Sequence, residues 1–193
     1  MKRFSTEVMD ILTNINTVID MKDYAQQLDI FVENNWKQEL KIRGCRTKSQ
    51  VIKHSAMGLA SEIALTNTGY FSPVADIMED ANNNINFSSR KRDLLCEGFY
   101  CEVKSSSPKY KSFYMSQSVF TSLIKCKPFN DFVIVMDRED LNDLVYRITP
   151  KYLIDIKQII DYIVPTNGHA LSRYMFDHRT AENNNACITL HNY

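Results

Sequence analysis

The chain has 193 residues, enough for one domain with a substantial core, and its 23 basic and 23 acidic residues cancel. A zero net charge excludes capture of a polyanion through a global positive field, so any nucleic-acid partner has to be met by local patches. Five cysteines, odd in number and without a CxxC pair, point away from a zinc ribbon or a complete disulfide framework and toward a reducing compartment. The opening residues MKRFSTEVMD carry no apolar leader and no run of about 18 apolar residues occurs, so a cytoplasmic, intracellular protein is expected.

Residues 5 to 40 predict helix. Val8, Ile11, Leu12, Ile15, Val18 and Ile19 recur at helical spacing, Leu28, Phe31, Val32, Trp36 and Leu40 form a second run, and neither Gly nor Pro interrupts them. This makes 1–48 a helical N-terminal appendage, for packing or for a dimer surface, and leaves 49–193 as the main domain. Lys41, Arg43, Arg46, Lys48 and Lys53 follow one another without an acid, a linker able to grip phosphates or simply to stay solvated. Ser49 to Thr68 predicts a second helix, with Val51, Ile52, Leu59 and Ile63 on an apolar side and Gly69 as its stop. Its small residues, Ala56, Gly58, Ala60 and Ala64, allow close approach to a sheet. Tyr70, Phe71 and Val74 begin a strand, Asp76, Glu79 and Asp80 form an acidic patch, and Asn82 to Asn84 read as a loop. Ile85 to Ser88 is a further strand leading into Arg90, Lys91 and Arg92, which either hold phosphates or make an exposed turn.

Arg92 to Lys104 reads as a β-hairpin around Glu97-Gly98, a pair suited to a two-residue turn because Gly accepts positive φ at little cost. That turn fixes the register: Cys96 opposes Phe99, Leu95 opposes Tyr100, Leu94 opposes Cys101, and Asp93 opposes Glu102. Alternation then puts Leu94, Cys96, Phe99, Cys101 and Val103 on one face and Asp93, Leu95, Tyr100, Glu102 and Lys104 on the other. Opposed carboxylates repel unless something positive lies between them, and hard oxygen donors suit Mg²⁺. Lys104, two residues beyond Glu102 on the same face, can hold or deprotonate a water that attacks phosphorus. Replacement of Asp93 by Ala is expected to stabilise the fold by relieving the repulsion.

These residues resemble the PD-(D/E)XK, or restriction endonuclease-like, nucleases, whose site is an Asp at the start of one strand and an acid-x-Lys triplet on the next. The matching positions are Asp93 and Glu102-Val103-Lys104, with Arg92 where many members have Pro. The resemblance implies an α/β (α+β) fold with an αβββαβ core and a mixed central sheet. It implies Mg²⁺, with Mn²⁺ as substitute, held by Asp93, Glu102, the Val103 carbonyl and Glu62. Glu62 enters through Gly58-x-x-x-Glu62, which is similar to the helix before the hairpin in junction resolvases and some restriction enzymes; a Glu on a solvated helix face is the alternative. Gln117 is implied as a polar residue facing the site, beside the alternative of a solvent-facing Gln.

Beyond Lys104, Ser105 to Pro108 break the strand and Ser112 to Lys125 predict a crossover helix. Phe132 to Met136 is a continuous apolar run, a buried strand that can lie parallel to the motif strand. Asp137 to Asp140 reads as a charged turn and Leu144 to Ile148 as a strand. Thr149-Pro150 reads as a helix start, with Leu153, Ile156, Ile160 and Ile163 on the helix. From Thr166 the chain is a polar C-terminal extension whose Arg173 and Asn183 to Asn185 either read base edges or form a surface loop before a closing strand, Ala186 to Leu190.

The sequence thus points to a Mg²⁺-dependent endonuclease acting on duplex DNA as a homodimer. Asp93, Glu102, Lys104, Glu62 and Gln117 form its site, and Arg43, Arg46, Lys48, Arg90, Lys91, Arg92, Lys109 and Arg173 lie on the DNA. The alternatives are a resolvase of branched DNA and a non-catalytic nucleic-acid-binding protein in which Lys104 merely neutralises Asp93 and Glu102.

Overall fold

Ser5 starts the first helix, α1 (Thr6–Asn14): its hydroxyl accepts from the Val8 N–H, and Val8 and Leu12 bury the stripe that the periodicity marks. The structure, a computed structural model, describes residues 4–26, 28–30, 32–33, 37, 47–74, 93–106, 112–116, 131–159, 164–166, 173–177 and 187–190. The helix ends at Asn14 instead of running on. Thr17–Asp20 is a strand, β1, where helix was expected, and it pairs antiparallel with β7 (Val145–Asp155), Thr17 opposite Ile148 and Asp20 opposite Val145. Val18 and Ile19 are β-branched and suit either conformation, so the available partner strand decides. A 3₁₀ turn, Met21–Tyr24, follows, its Met21 N–H donating to the Leu144 carbonyl at 2.8 Å. The described residues between 25 and 33 are helical, as expected.

The long helix stands nearly where the sequence places it. α2 (Lys48–Thr66) begins at Thr47, whose hydroxyl accepts from the Gln50 N–H at 3.2 Å, and Gly69 at φ 79° turns the chain away after it. Residues 59–65 are buried without interruption, so this helix is enclosed on more than its apolar stripe.

β2 (Ser72–Pro73), β3 (Leu94–Cys96) and β4 (Phe99–Ser106) form an antiparallel meander, and β6 (Phe132–Asn142) lies parallel to β4, with Glu102 opposite Val133 and Lys104 opposite Val135. The seven-stranded mixed sheet runs β1-β7-β6-β4-β3-β2, with β10 (Cys187–Thr189) also on β7. A smaller sheet runs β5-β9-β8, from β5 (Ser112–Ser116), β8 (Val164–Thr166) and β9 (Arg173–Asp177). The protein is therefore mixed α+β. Among the described residues the core is one cluster in which Phe4, Val8, Leu12, Ile15 and Ile19 meet Leu59 and Ile63 of α2 and Leu94, Cys101, Val103, Phe132 and Leu153 of the sheet.

Four further expectations give way. β4 continues through Ser105 and Ser106, because the parallel partner β6 carries its ladder on to Ser106 opposite Asp137. Ser112–Ser116 is a strand rather than the start of the crossover helix; its Phe-Tyr-Met run favours β structure, and Phe113 lies opposite Phe176 of β9. Asp137 to Asp140 belongs to β6 rather than to a turn, and the reversal falls at Asp143-Leu144. Glu139 stands opposite Arg147 and pairs with it at 2.6 Å, which is how a charged stretch remains extended. Thr149-Pro150 is in β7 and not in a helix; among the described residues of the expected helix, Ile156–Ile159 forms a helical turn, and Ile160 and Ile163 lie outside the described residues. Proline's φ fits a helix start and a strand equally, and here a register shift between Val135 and Met136 accommodates it.

Candidate active site

The hairpin is built as its turn dictates. Glu97 at φ 50° and Gly98 at φ 79° are both left-handed, the geometry of a two-residue turn whose twist matches the strands. Leu94 faces Cys101, Leu95 faces Tyr100 and Cys96 faces Phe99, the register expected. Leu94, Cys96, Cys101 and Val103 enter the core with Phe99 packed against it. The opposite face is not solvated. Asp93 is 8% exposed and Glu102 4%, so two carboxylates are held out of water and their charges must be met within the protein.

The structure supplies the partners. Asp93 Oδ2 accepts the Val103 backbone N–H at 2.7 Å, and the Asp93 N–H donates at 3.2 Å to the carbonyl of Cys101, the residue that Leu94 already faces; the ladder starts at Leu94, so Asp93 does not stand in register opposite Glu102 as expected, and its carboxylate reaches the next strand through Val103 instead. Lys104 Nζ donates to Glu102 Oε1 in an ion pair. Burial pulls the Lys104 ammonium toward neutrality, but the charges of Glu102, Asp93 and Glu62 and the Glu102 hydrogen bond more than offset it, and its pKa is raised. Glu62, 7% exposed in the middle of α2, thus lies within electrostatic reach of the hairpin, and the solvated-face alternative does not hold. Three carboxylates from two elements act on one ammonium.

Donor chemistry fits a small divalent cation: the three groups are hard oxygen ligands, and the pairing of Val103 N–H with Asp93 holds one of them rigidly. Among the described residues, no group of three His, Cys, Asp or Glu stands in a metal-holding arrangement. Glu102 Oε1 accepts from the Lys104 ammonium.

A second carboxylate–lysine pair lies on the same face. Asp137, 2% exposed, sits opposite Ser106 two residues beyond Lys104, and the Lys151 ammonium approaches its Oδ2 to 3.0 Å. Lys151 is the extra residue at the β7 register shift and is 8% exposed. Sequence reading assigned Asp137 to a turn and Lys151 to a helix; the signal for both was the run of β-branched and aromatic residues from Val145 to Ile154, which Pro150 disguised.

Of the basic residues expected on DNA, Lys48 opens α2 and its ammonium pairs with Glu33 at 2.6 Å. Arg173 opens β9, its backbone paired with Ser116 and Thr166 in the smaller sheet. Gln117, Arg43, Arg46, Arg90, Lys91, Arg92 and Lys109 lie outside the described residues. Among the described residues, no helix is long and apolar enough to cross a membrane. No family model matches the chain, and no match was found among curated proteins or solved structures.

Proposed function

We propose that the protein is a Mg²⁺-dependent DNA endonuclease of the restriction endonuclease-like kind, hydrolysing phosphodiester bonds in duplex DNA. The observation that carries the reading is the hairpin's buried Glu102–Lys104 ion pair beside Asp93, which accepts from Val103, with Glu62 buried on the neighbouring α2 and its charge felt at Lys104. Meander β2-β3-β4 and the parallel strand β6 support the reading as the strand part of the order that the resemblance implies, whereas Ser112–Ser116 is a strand where that order has its crossover helix. Asp93, Glu102 and Glu62, with the Val103 carbonyl, would hold Mg²⁺, or Mn²⁺ in its place. When bound, the ion supplies positive charge that makes water more acidic and offsets the charge building on the phosphoryl oxygens. Lys104, an ammonium with three donors, orients the attacking water and meets a phosphate oxygen. Asp93 is kept in place by Val103, so its free oxygen does not have to be organised during the reaction.

A double-strand break from one site per chain requires two chains, so a homodimer is part of the proposal. The Glu102–Lys104 ion pair also favours a second reading, a nucleic-acid-binding protein in which the cluster is structural. Incubation with Mg²⁺ on linear duplex, supercoiled plasmid and a four-way junction, beside Glu102→Gln and Lys104→Met, separates the readings. Cleavage by wild type that falls by orders of magnitude in both folded variants is the expected result, with duplex preferred. A preference for the junction moves the assignment to a resolvase. Equal inactivity of all three proteins across metals and substrates sinks the nuclease reading.

A further inference from the structure

The sheet face that carries Glu102 and Lys104 presents a second cation. Val133, Val135 and Asp137 alternate along β6 opposite Glu102, Lys104 and Ser106 of β4, so Asp137 belongs to that face, and so does Tyr152 of β7, which stands opposite Val135. Strict alternation would send Lys151, the sequence neighbour of Tyr152, to the other face. The register shift between Val135 and Met136 prevents this: the Lys151 ammonium lies 5.5 Å from the centre of the Tyr152 ring and 3.0 Å from Asp137 Oδ2. A bulge re-aims one side chain at the expense of the ladder, and the side chain re-aimed here is a lysine. Its carbonyl accepts the Leu190 N–H at 2.8 Å, which holds the bulged residue from just beyond β10.

The two ion pairs also share an orientation. The Lys104 side chain is 21% exposed against 6% for Glu102, and that of Lys151 11% against 2% for Asp137. In both pairs the carboxylate is the inner member and the ammonium the outer, so a ligand approaching this face meets positive charge first, although the chain as a whole is neutral. β4 and β7 flank β6 and so lie about 10 Å apart. A DNA strand, with one phosphate for about every 3.4 Å of axis, offers two anions at such a separation.

We propose that Lys151 is a second phosphate-binding residue, which holds the DNA strand at a phosphate further along from the one that Lys104 meets, and that the β7 bulge aims it there. The inference rests on the action on DNA proposed above and adds a contact that positions the strand. Asp137 anchors the ammonium from within the sheet, and the phosphate meets it from outside. Lys104 acts at the reacting phosphate, whereas Lys151 fixes where along the strand that phosphate lies.

The test measures affinity for a duplex oligonucleotide by fluorescence anisotropy, without metal and over a range of salt, for wild type and for Asp137→Leu together with Lys151→Met. The double variant removes one charge of each sign, so net charge is unchanged, and it avoids the unpaired buried carboxylate that Lys151→Met alone leaves. The proposal expects binding about tenfold weaker, as for loss of one charge-assisted hydrogen bond, and a log–log salt slope shallower by about one. A folded double variant with wild-type affinity and slope overturns the proposal and makes the pair structural. Weaker binding with the shallower slope, in a protein that cleaves nothing, removes the nuclease reading and leaves the phosphate contact standing. No DNA binding by wild type overturns both.

Because the double variant can fold poorly, a second measurement uses the wild-type chain. The ¹⁵N resonance of the Lys151 ammonium shifts when the oligonucleotide is added, with the exposed Lys157 as reference. A Lys151 resonance that stays fixed while DNA binds shows that no phosphate reaches it, and the proposal fails.

Discussion

Asp93 does opposite work to that expected from charge alone. Repulsion from Glu102 suggests that removing it stabilises the fold, but its carboxylate accepts the buried Val103 N–H at 2.7 Å. Asp93→Ala therefore leaves a buried donor unpaired and should cost about 1–3 kcal/mol in urea unfolding, while Asp93→Asn, which keeps an acceptor, should lose less stability and still lose cleavage. A more stable Asp93→Ala would restore the repulsion argument. The two core cysteines of the hairpin give a second residue-scale test. Burial, with Glu97 adding, pushes the Cys96 thiol up to about 12, and burial, with Cys96, Asp131 and Asp93 adding, pushes Cys101 well above its ordinary value of 9.0. Native protein at about pH 8 should leave both peptides unalkylated by iodoacetamide in mass spectrometry and expose both in denaturant. The linked stability has a definite sign. Above pH 9 the unfolded thiols lose protons that the native ones keep, so this contribution falls as pH rises from there toward 12. A Cys96→Ala, Cys101→Ala variant should show a shallower fall in urea midpoint above pH 9 than wild type.

Among elements, the hairpin is held from outside as well as by its own ladder. Phe4, just before α1, meets Phe132 at 4.8 Å, Phe99 at 5.7 Å and Phe71 at 6.0 Å between ring centroids, and the Ser5 N–H donates to Glu97 at the turn at 2.7 Å. The N-terminus thus clamps the strand that carries Glu102 and Lys104. Phe4→Ala should cost about 3–5 kcal/mol and protect the hairpin amides less in hydrogen exchange; unchanged exchange there would separate the N-terminal packing from the site. The Asp137–Lys151 pair tests how the strands tolerate charge. Lys151→Met strands a buried carboxylate and should destabilise by about 3–5 kcal/mol in denaturant unfolding, whereas Asp137→Leu together with Lys151→Met should recover most of that loss. Failure of the double variant to recover would mean that the pair also serves something outside itself.

At the scale of the whole molecule, zero net charge makes local patches decide any DNA affinity. Binding carried by lysine and arginine on phosphates should weaken steeply with salt, roughly one unit of log–log slope for each phosphate neutralised. A slope near zero in a fluorescence titration would remove the electrostatic part of the proposal. If the dimer acts on both strands, supercoiled plasmid should become linear without accumulating nicked circles, and the sedimenting species should have twice the 22.4 kDa chain mass. Nicked circles accumulating from a monomer would assign single-strand cleavage instead.

The hairpin was legible in the sequence because a two-residue turn leaves only one register, and alternation then assigns every side chain to a face. The long helix was legible from its apolar spacing and from Gly69, and the parallel strand from its unbroken apolar run. What the sequence could not determine were the choices that depend on a partner: Thr17–Asp20 and Thr149–Asp155 become strands because β7 lies between β1 and β6, and local preference is too weak to reveal that pairing. Tertiary structure alone decided that Glu62 is buried within reach of Lys104, that Val103 occupies an Asp93 oxygen, and that Lys104 rests on Glu102. Spacing along a chain names the groups that can meet, whereas the desolvation and packing that fix their charges arise only when distant elements close around them.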